Sequence, residues 1–478
     1  MSTPTTGRRI AVRQRRRPDR GAVVGIVLVA LSGLLLATAG LVEAEPEQAG
    51  SPATVAVDNV ATACLGSPAA GRARAYTLAA PLAETPEGAA DKGTLTAGPV
   101  GGQGAPQDAA ARGELGTLEA PGGGSALAVT ATGDAAVGRG TFQVEQADDG
   151  TALAAQECLA ARSRWWFTGG GAGLDHRSEL VMANLDPGPA VVDVVVHGPD
   201  GPVDSVNTRG ITIAPGEVRT VDLVEIAPQS DELAVHVEAS RGRVVAGLAD
   251  SFATSPAAEP GLEWVPAQAE SSRTLRLAPL PGRADRRTLV VTNPGDREAL
   301  VDVEVSGASG SFAPTDVAQV RVPPGSVVTA DLGSAIGRDA SAVVLRSPVP
   351  VTATVRSALE ADVSYAAAVP VLDGPAAAVL LEGTQAAVQL TAGESGGKAT
   401  ATAYAADGAE VDSAELEVEP TATLAWSPKG RAAYIVVTPR GGQLSGGLSV
   451  AGDAGVSQLA LRPLPVVLRK PVVVPVVR

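Results

Sequence analysis

Aromatic residues and lysine are scarce in this sequence. Only 3% of the 478 residues are Phe, Trp or Tyr. Arginine supplies nearly all of the positive charge, because lysine occurs only at positions 92, 398, 429 and 470. This bias is typical of GC-rich coding, so single alanines and arginines carry little information. Glycan-processing clefts are usually lined by aromatic rings, and the scarcity of such rings argues against an enzyme of that kind.

Acidic residues outnumber basic residues in the body of the chain, which has no basic patch. Seven arginines and Asp19 give the first 20 residues a net charge of +6, so the total of −15 leaves −21 for the rest. Nucleic-acid binding needs lysines and arginines that replace counterions on phosphates. An acidic body therefore argues against a nucleic-acid partner and is interpreted as a solubilising surface.

Histidine occurs only three times, which narrows the search for chemistry. In the run from Asp175 to Glu179, the side chains of Asp175, His176 and Glu179 could ligate a metal or act in catalysis. The run lacks the fixed spacing of metal motifs, and Arg177 within it would repel a cation. A surface turn is the simpler interpretation.

The other two histidines, His197 and His236, fall on the polar side of predicted strands, near Asp193 and Glu238. Ordinary cross-strand pairs explain them. The sequence contains no His-Glu-x-x-His, Walker or EF-hand motif. We therefore predict no catalytic residue, no metal site and no cofactor, and we expect that the protein is not an enzyme.

The longest uncharged run is residues 21–42, which comprises 22 residues. At about 1.5 Å per residue, such a helix spans a hydrocarbon core of roughly 30 Å. The basic residues before it place residues 1–20, an Arg-rich tail predicted to be disordered, in the cytoplasm. A cleaved signal peptide is the alternative, since Val42-Glu43-Ala44 loosely fits a cleavage site. Both interpretations place everything after residue 45 outside the cytoplasm, anchored to the plasma membrane or secreted. A linker is predicted at 43–62.

Two cysteines, Cys64 and Cys158, belong to a membrane-proximal β region predicted at 63–160. No thiol pool reduces such a pair outside the cytoplasm, so a disulfide is expected. Two free thiols or a redox pair are the alternatives. Strand signals in this region are weak before 126–132 and 140–145, and the Gly- and Ala-rich stretch 98–124 is predicted to be a long mobile loop.

The densest aromatic cluster is Trp165-Trp166-Phe167, which precedes a glycine-rich run. Three large rings in a chain so poor in aromatics predict one of two arrangements. They form a buried plug at a domain junction, which is the simpler interpretation, or an exposed ligand surface on which a glycan could stack.

A repeat of 109 residues organises the rest of the chain. The line Leu180-Val-Met-Ala-Asn184 returns as Leu289-Val-Val-Thr-Asn293, and Ile213-Ala-Pro-Gly216 returns as Val322-Pro-Pro-Gly325. Short Val-rich runs alternate apolar and polar residues between Pro–Gly turns, which is typical of antiparallel strands. One repeat has the length of one immunoglobulin-like β-sandwich.

These patterns predict an all-β fold of tandem immunoglobulin-like β-sandwich repeats behind one N-terminal transmembrane helix. Repeat 1 is assigned to 161–272 and repeat 2 to 273–370. Residues 371–478 are assigned to a degenerate third repeat and an apolar tail, whose prolines argue against a second membrane span.

Several of these features together resemble one uncharacterised family. They are the basic head with one anchor, the cysteine before Trp165, the Leu-x-x-x-Asn lines, the Ala-Pro-Gly-Glu-Val-Arg-Thr-Val-Asp line, and Gly261-Leu-Glu-Trp-Val-Pro266. The family, a domain of unknown function, comprises single-pass extracytoplasmic proteins of high-GC Gram-positive bacteria. The resemblance covers roughly residues 60–460 and is most specific between 158 and 335. It implies a cell-envelope location and a β-rich ectodomain, and it supplies no catalytic residues.

We therefore expect a membrane-anchored extracytoplasmic protein that acts as a non-enzymatic scaffold or binding protein of the cell envelope. Its partners would be the plasma membrane, through the anchor, and an envelope protein or a cell-wall glycan. The alternative is a glycan-binding or glycan-processing accessory protein or enzyme of the cell wall. Its site would comprise Trp165, Trp166, Phe167, Asp175, His176 and Glu179.

Overall fold

The computed structural model describes residues 54–469 except 108–109, 121–122, 148–149, 151, 254–259, 338, 360–361 and 454, together with positions 24, 27 and 29–31. The predicted tail at 1–20 and most of the predicted span at 21–42 lie outside the described residues. Among the residues described, no helix is both long enough and apolar enough to cross a membrane. Residues 54–468 form one compact unit.

The fold is all-β, as the alternating Val-rich runs predicted. Between residues 54 and 469, the helices that the structure describes are four short 3₁₀ turns, at Asp134–Ala136, Val206–Thr208, Leu223–Glu225 and Gly333–Ala335. The strand pairings within the four modules are antiparallel and hairpin connections are frequent, because Pro and Gly punctuate the chain between the strands.

Module 1 follows a short strand, β1 (Thr54–Ala56). Its strands are β2 (Asn59–Leu65), β3 (Arg72–Ala79), β4 (Gly93–Pro99), β5 (Ala105–Gln107), β6 (Leu115–Glu119), β7 (Ala126–Gly133), β8 (Arg139–Gln146) and β9 (Leu153–Glu157). They form two sheets, ordered β2-β7-β4-β5 and β6-β3-β8-β9. The loop predicted at 98–124 is wrong in part, because β5 and β6 lie inside it. Both are short edge strands of three and five residues, which give little alternation to detect.

Module 2 contains the first copy of the 109-residue repeat. Its strands are β10 (Arg164–Gly170), β11 (His176–Ala183), β12 (Ala190–Gly198), β13 (Gly201–Val203), β14 (Ile211–Ile213), β15 (Val218–Asp222), β16 (Leu233–Arg241), β17 (Val245–Phe252) and β18 (Gly261–Val265). One sheet is ordered β10-β16-β12-β13, with β14 also paired to β12, and the other is β15-β11-β17-β18.

Module 3 contains the second copy. Its strands are β19 (Ser272–Leu277), β20 (Arg286–Thr292), β21 (Ala299–Gly307), β22 (Gly310–Phe312), β23 (Gln319–Val322), β24 (Val327–Asp331), β25 (Ala342–Leu359) and β26 (Asp362–Ala367). The long β25 takes part in both halves of the module. Its first half pairs with β19 and β21, and its second half pairs with β20 and β26.

Module 4 contains two such long strands. Its strands are β27 (Ala376–Val379), β28 (Thr384–Tyr404), β29 (Glu410–Val418), β30 (Thr423–Trp426), β31 (Tyr434–Gly452) and β32 (Gly455–Ala460). A final strand, β33 (Val467–Arg469), follows the module. The N–H of Val57 donates to the oxygen of Val466 at 3.1 Å, so the first and last described segments of this unit lie together.

The same pairing pattern recurs in all four modules. Each ends in a hairpin, formed by β8–β9, β17–β18, β25–β26 and β31–β32. In modules 2 and 3 even the register recurs at the offset of 109. Leu180 lies opposite Val221, and Leu289 lies opposite Ala330. The repeated sequence lines therefore encode equivalent pairs of strands.

The asparagine that closes the first repeated line makes the same hydrogen bonds in both copies. The side-chain amides of Asn184 and Asn293 each donate to carbonyl oxygens 4 and 29 residues later, at 2.9 and 3.0 Å and at 2.7 and 3.1 Å respectively. Each side-chain oxygen also accepts the N–H two residues later. One buried amide thus ties the turn after the strand to a neighbouring strand.

We predict that Asn184→Ala and Asn293→Ala each lower the stability by about 1–3 kcal/mol, because buried backbone carbonyls lose their donor. Thermal unfolding followed by circular dichroism measures the effect, with the exposed Asn207→Ala as the matched control. A shift in either variant no larger than that of the control would contradict the role given to this side chain.

In module 2, the two sheets share one apolar core. Val192, Val194 and Val196 reach it from one sheet, and Leu180 and Met182 reach it from the other. Along β12 the residues between these valines are less buried, as a period of two requires. The corresponding valines of β21 lie in the core of module 3.

The four modules contact one another in a closed cycle. Each of these interfaces includes apolar contacts, and the fourth module returns to pack on the first. The contacts include Leu65 with Trp264, Ala234 with Val290, Ala342 with Ala460, and Phe142 with Tyr434.

Candidate functional site

The aromatic triplet is buried. Trp165, Trp166 and Phe167 are 2%, 7% and 0% exposed. Trp165 and Phe167 belong to the core of module 2, and the indole N–H of Trp165 donates to the oxygen of Val244 at 3.0 Å. The triplet therefore offers no exposed face on which a glycan could stack, and its position matches the interpretation as a buried plug.

Trp166 is held between two histidines. Its ring stacks on His236 at 4.1 Å between centroids and lies 5.6 Å from the ring of His197. Nδ1 of His197 contacts the oxygen of Gly325 in module 3 at 2.8 Å. Burial lowers the pKa of both histidines. His236 does form a cross-strand pair, because Trp166 lies directly opposite it on β10, whereas Glu238 pairs with an arginine of β10 and not with a histidine.

Asp175, His176 and Glu179 do not converge. His176 is buried, whereas Asp175 is exposed, and Glu179 lies on the opposite side of β11 beside Arg177. The reason is the period of two, which turns His176 and Ser178 inward and their neighbours outward. The predicted surface turn is also wrong, since His176 begins a paired strand.

His176 belongs to a buried hydrogen-bond network around Asp250. Its Nδ1 contacts the backbone carbonyl oxygen of Asp231 at 2.7 Å, and its Nε2 lies 2.9 Å from a carboxylate oxygen of Asp250. Ser178 and Tyr365 each donate a hydroxyl to Asp250 at 2.5 Å. Burial opposes the imidazolium, but the Asp250 carboxylate outweighs it and raises the pKa of His176.

This arrangement does not activate a nucleophile. Ser178 donates to the carboxylate and not to the imidazole, so His176 is not placed to take its proton. Ser178, Asp250 and His176 are 0%, 1% and 3% exposed, which leaves no approach for a substrate. Tyr365 belongs to module 3, so the network joins two modules.

The two cysteines form a disulfide. Cys64 and Cys158 are bonded and buried, and the adjacent residues Ala63 and Leu159 exchange two backbone hydrogen bonds of 2.8 and 3.0 Å. The bond joins the first strand of module 1 to the segment after its last strand. Closing a loop of 94 residues stabilises the fold by about 4–5 kcal/mol in the chain-entropy model.

The last strands of the four modules, β9, β18, β26 and β32, meet around the carboxylate of Asp362. This carboxylate accepts backbone N–H groups from all four: Val456 at 2.7 Å, Val363 at 2.9 Å, Leu153 at 3.4 Å, and Leu262. Burial raises the pKa of Asp362 to about 7, against the opposing effect of these donors.

Glycines make room for this carboxylate. Asp362 begins β26, and Gly261 and Gly455 begin β18 and β32. A Cβ on Gly261 would lie 2.8 Å from Oδ1 of Asp362, and one on Gly455 would lie 2.0 Å from Oδ2. Any larger residue at either position would push the strands apart.

The motif Gly261-Leu-Glu-Trp-Val-Pro266 reaches all three other modules. Gly261 contacts Asp362 of module 3, Glu263 accepts the hydroxyl of Ser457 of module 4 at 2.6 Å, and the indole N–H of Trp264 donates to Glu145 of module 1 at 2.7 Å. Burial raises the pKa of Glu263 well above its ordinary value.

Residues 117–429 match the family of unknown function DUF5719. The chain belongs to this family. No curated protein matches the chain. The range that the family matches includes all of modules 2 and 3, the disulfide cysteine Cys158, and the motif at 261–266.

Sequence reasoning missed the buried carboxylates Glu145, Glu263 and Asp362. One signal was present, since Glu263 is a lone acid inside an apolar strand of a motif quoted for the family resemblance. Nothing local marks Glu145 or Asp362, because the donors from other modules come from strands far away in the chain.

We predict that stability falls as the pH rises from about 5 to 8, and that Glu145 contributes to this fall. Burial raises the pKa of Glu145 from 4.5 to about 7 despite donors from Ser67, Gln143 and Trp264. The folded state therefore retains a proton that the unfolded state releases above pH 4.5. A stabilisation of up to about 3 kcal/mol is present below that pH and is lost as the pH approaches 7.

Thermal unfolding at several pH values tests this. Glu145→Gln should flatten the slope between pH 5 and 8, whatever its absolute stability, whereas Glu114→Gln at a partly exposed position of the same module should not. An unchanged slope in Glu145→Gln would refute the titration assigned to this residue.

Proposed function

We propose that the chain is a non-enzymatic binding or scaffold protein of the cell envelope, anchored by residues 21–42 with its body outside the cytoplasm. The observation that carries this proposal is the closure of four modules around shared buried carboxylates. Such a unit presents a broad, rigid outer surface. The histidine, serine and carboxylate side chains of the network around Asp250 are engaged in buried hydrogen bonds.

Three observations support the location. The uncharged run at 21–42 follows a basic head, a disulfide joins Cys64 to Cys158, and the resemblance is to single-pass proteins of high-GC Gram-positive bacteria. Disulfides persist in oxidising compartments, and positive residues flank the cytoplasmic side of membrane spans. We further propose that each module is an immunoglobulin-like β-sandwich, because its strands pair as two halves over an apolar core.

The alternative is a glycan-binding accessory protein of the wall. The buried triplet Trp165-Trp166-Phe167 no longer favours it, and the residues Asp175, His176 and Glu179 do not form a processing centre. A different surface, the groove between modules 1 and 4 that is described below, supports a role of the protein in glycan binding.

A pull-down of the full-length chain from detergent-solubilised envelope, with proteins and glycans both identified, tests the proposal. We expect the chain in the membrane fraction, with at least one envelope component retained after washing and absent from a heat-unfolded control. Recovery in the cytoplasmic fraction, or release of shortened glycan products by the purified chain, would contradict it.

A further inference from the structure

A groove opens between module 1 and module 4. Its volume is about 710 Å³, which lies in the usual range of ligand sites. The floor is a face of module 1, where Tyr76 lies opposite Thr117 and Leu78 opposite Leu115 on the paired strands β3 and β6. Module 4 supplies the walls through residues 380–386 and 427–433, several of which line the groove.

The sequence period explains why polar side chains reach the floor. Along β3 and β6, Ala75 and Leu118 point into the core of module 1, so the alternate residues face the other way. Arg74, Tyr76 and Thr117 are therefore available on the outer face, and module 4 covers this face only in part.

The groove carries positive charge in an acidic protein. Arg74 and Arg431 both line it, and neither side chain forms an ion pair or hydrogen bond with another residue that the structure describes. Glu382 also lines it, and Glu119 stands opposite Arg74 across the strand pair without bonding to it. Both guanidinium groups are exposed and can meet a carboxylate or phosphate in a bidentate manner.

The remaining lining suits a hydroxylated ligand. Tyr76 offers a half-buried ring, and Thr117, Thr384, Gln385 and Ser427 offer hydroxyl and amide groups. Aromatic rings stack on the apolar faces of sugars while such polar groups hydrogen-bond to their edges. Only four tyrosines occur in the chain, so a ring at this position is notable.

We propose that this groove binds an acidic glycan, a saccharide or polyol chain that bears carboxylate or phosphate groups. The inference rests on the proposed envelope function and gives it a site. Arg74 and Arg431 hold the anionic groups, and Tyr76 packs on the chain between them.

Binding to the full-length chain in detergent micelles tests the proposal by calorimetric titration. The probes are an oligogalacturonate, a glycerol-phosphate oligomer and a neutral maltooligosaccharide of matched length. We expect at least one anionic probe to bind at least 10-fold more tightly than the neutral one, with affinity falling as salt increases. Which anionic probe binds better distinguishes a carboxylated from a phosphorylated ligand.

Variants locate the site. Arg74→Ala combined with Arg431→Ala should weaken anionic binding at least 10-fold, and Tyr76→Ala should also weaken it. Arg72→Ala, an exposed arginine on the same strand outside the groove lining, should change it less than twofold. The melting temperatures of these surface variants should match that of the unaltered chain.

Three results would overturn the proposal. The neutral probe could bind as tightly as the anionic ones, or the double arginine variant could bind the anionic probes as tightly as the unaltered chain. The third is tighter binding of an oligoglutamate peptide than of both anionic probes. Capture of the same envelope component by the double variant would leave the wider envelope function standing. The two failures are therefore distinguishable.

Discussion

The structure depends on a buried carboxylate that no single module can satisfy. Asp362 needs hydrogen-bond donors, and they come from the last strands of all four modules. Leaving a buried charge without donors costs far more than a typical hydrogen bond contributes. Removing one module would therefore leave an unsatisfied group in the others. Glu263 with Ser457 and Glu145 with Trp264 extend the same dependence to two further contacts between modules.

Side chains of the types that often act in catalysis are also held in buried contacts between modules. His176, Ser178 and Asp250 lie within the body of the protein, where they tie module 2 to Tyr365 of module 3. Trp165 and Phe167 belong to the core of module 2, and Trp166 packs against two histidines. Arg74, Tyr76 and Arg431 lie instead in the groove between modules 1 and 4.

The sequence predicted the strands where valine alternates with polar residues, and the offset of 109 fixed equivalent registers in two modules. It missed the equivalent pattern in module 1, because Ala and Gly bury too little apolar surface to give a clear alternation. The sequence prediction for His176 was wrong because its partner carboxylate, Asp250, is 74 residues away. Without that partner, a polar residue that points inward cannot be told from a residue in a surface turn. The junction at Asp362 was invisible, since it is defined by contacts between strands that are hundreds of residues apart.

Hydrogen exchange of the central amides as a function of urea tests most directly whether the four modules are one cooperative unit. The amides of Leu153, Leu262 and Val456 donate to Asp362 from three different modules. We expect them to exchange with one common free energy of opening and one urea dependence, equal to those of global unfolding. Separate free energies for the three amides, with one module opening while the others stay protected, would contradict the account.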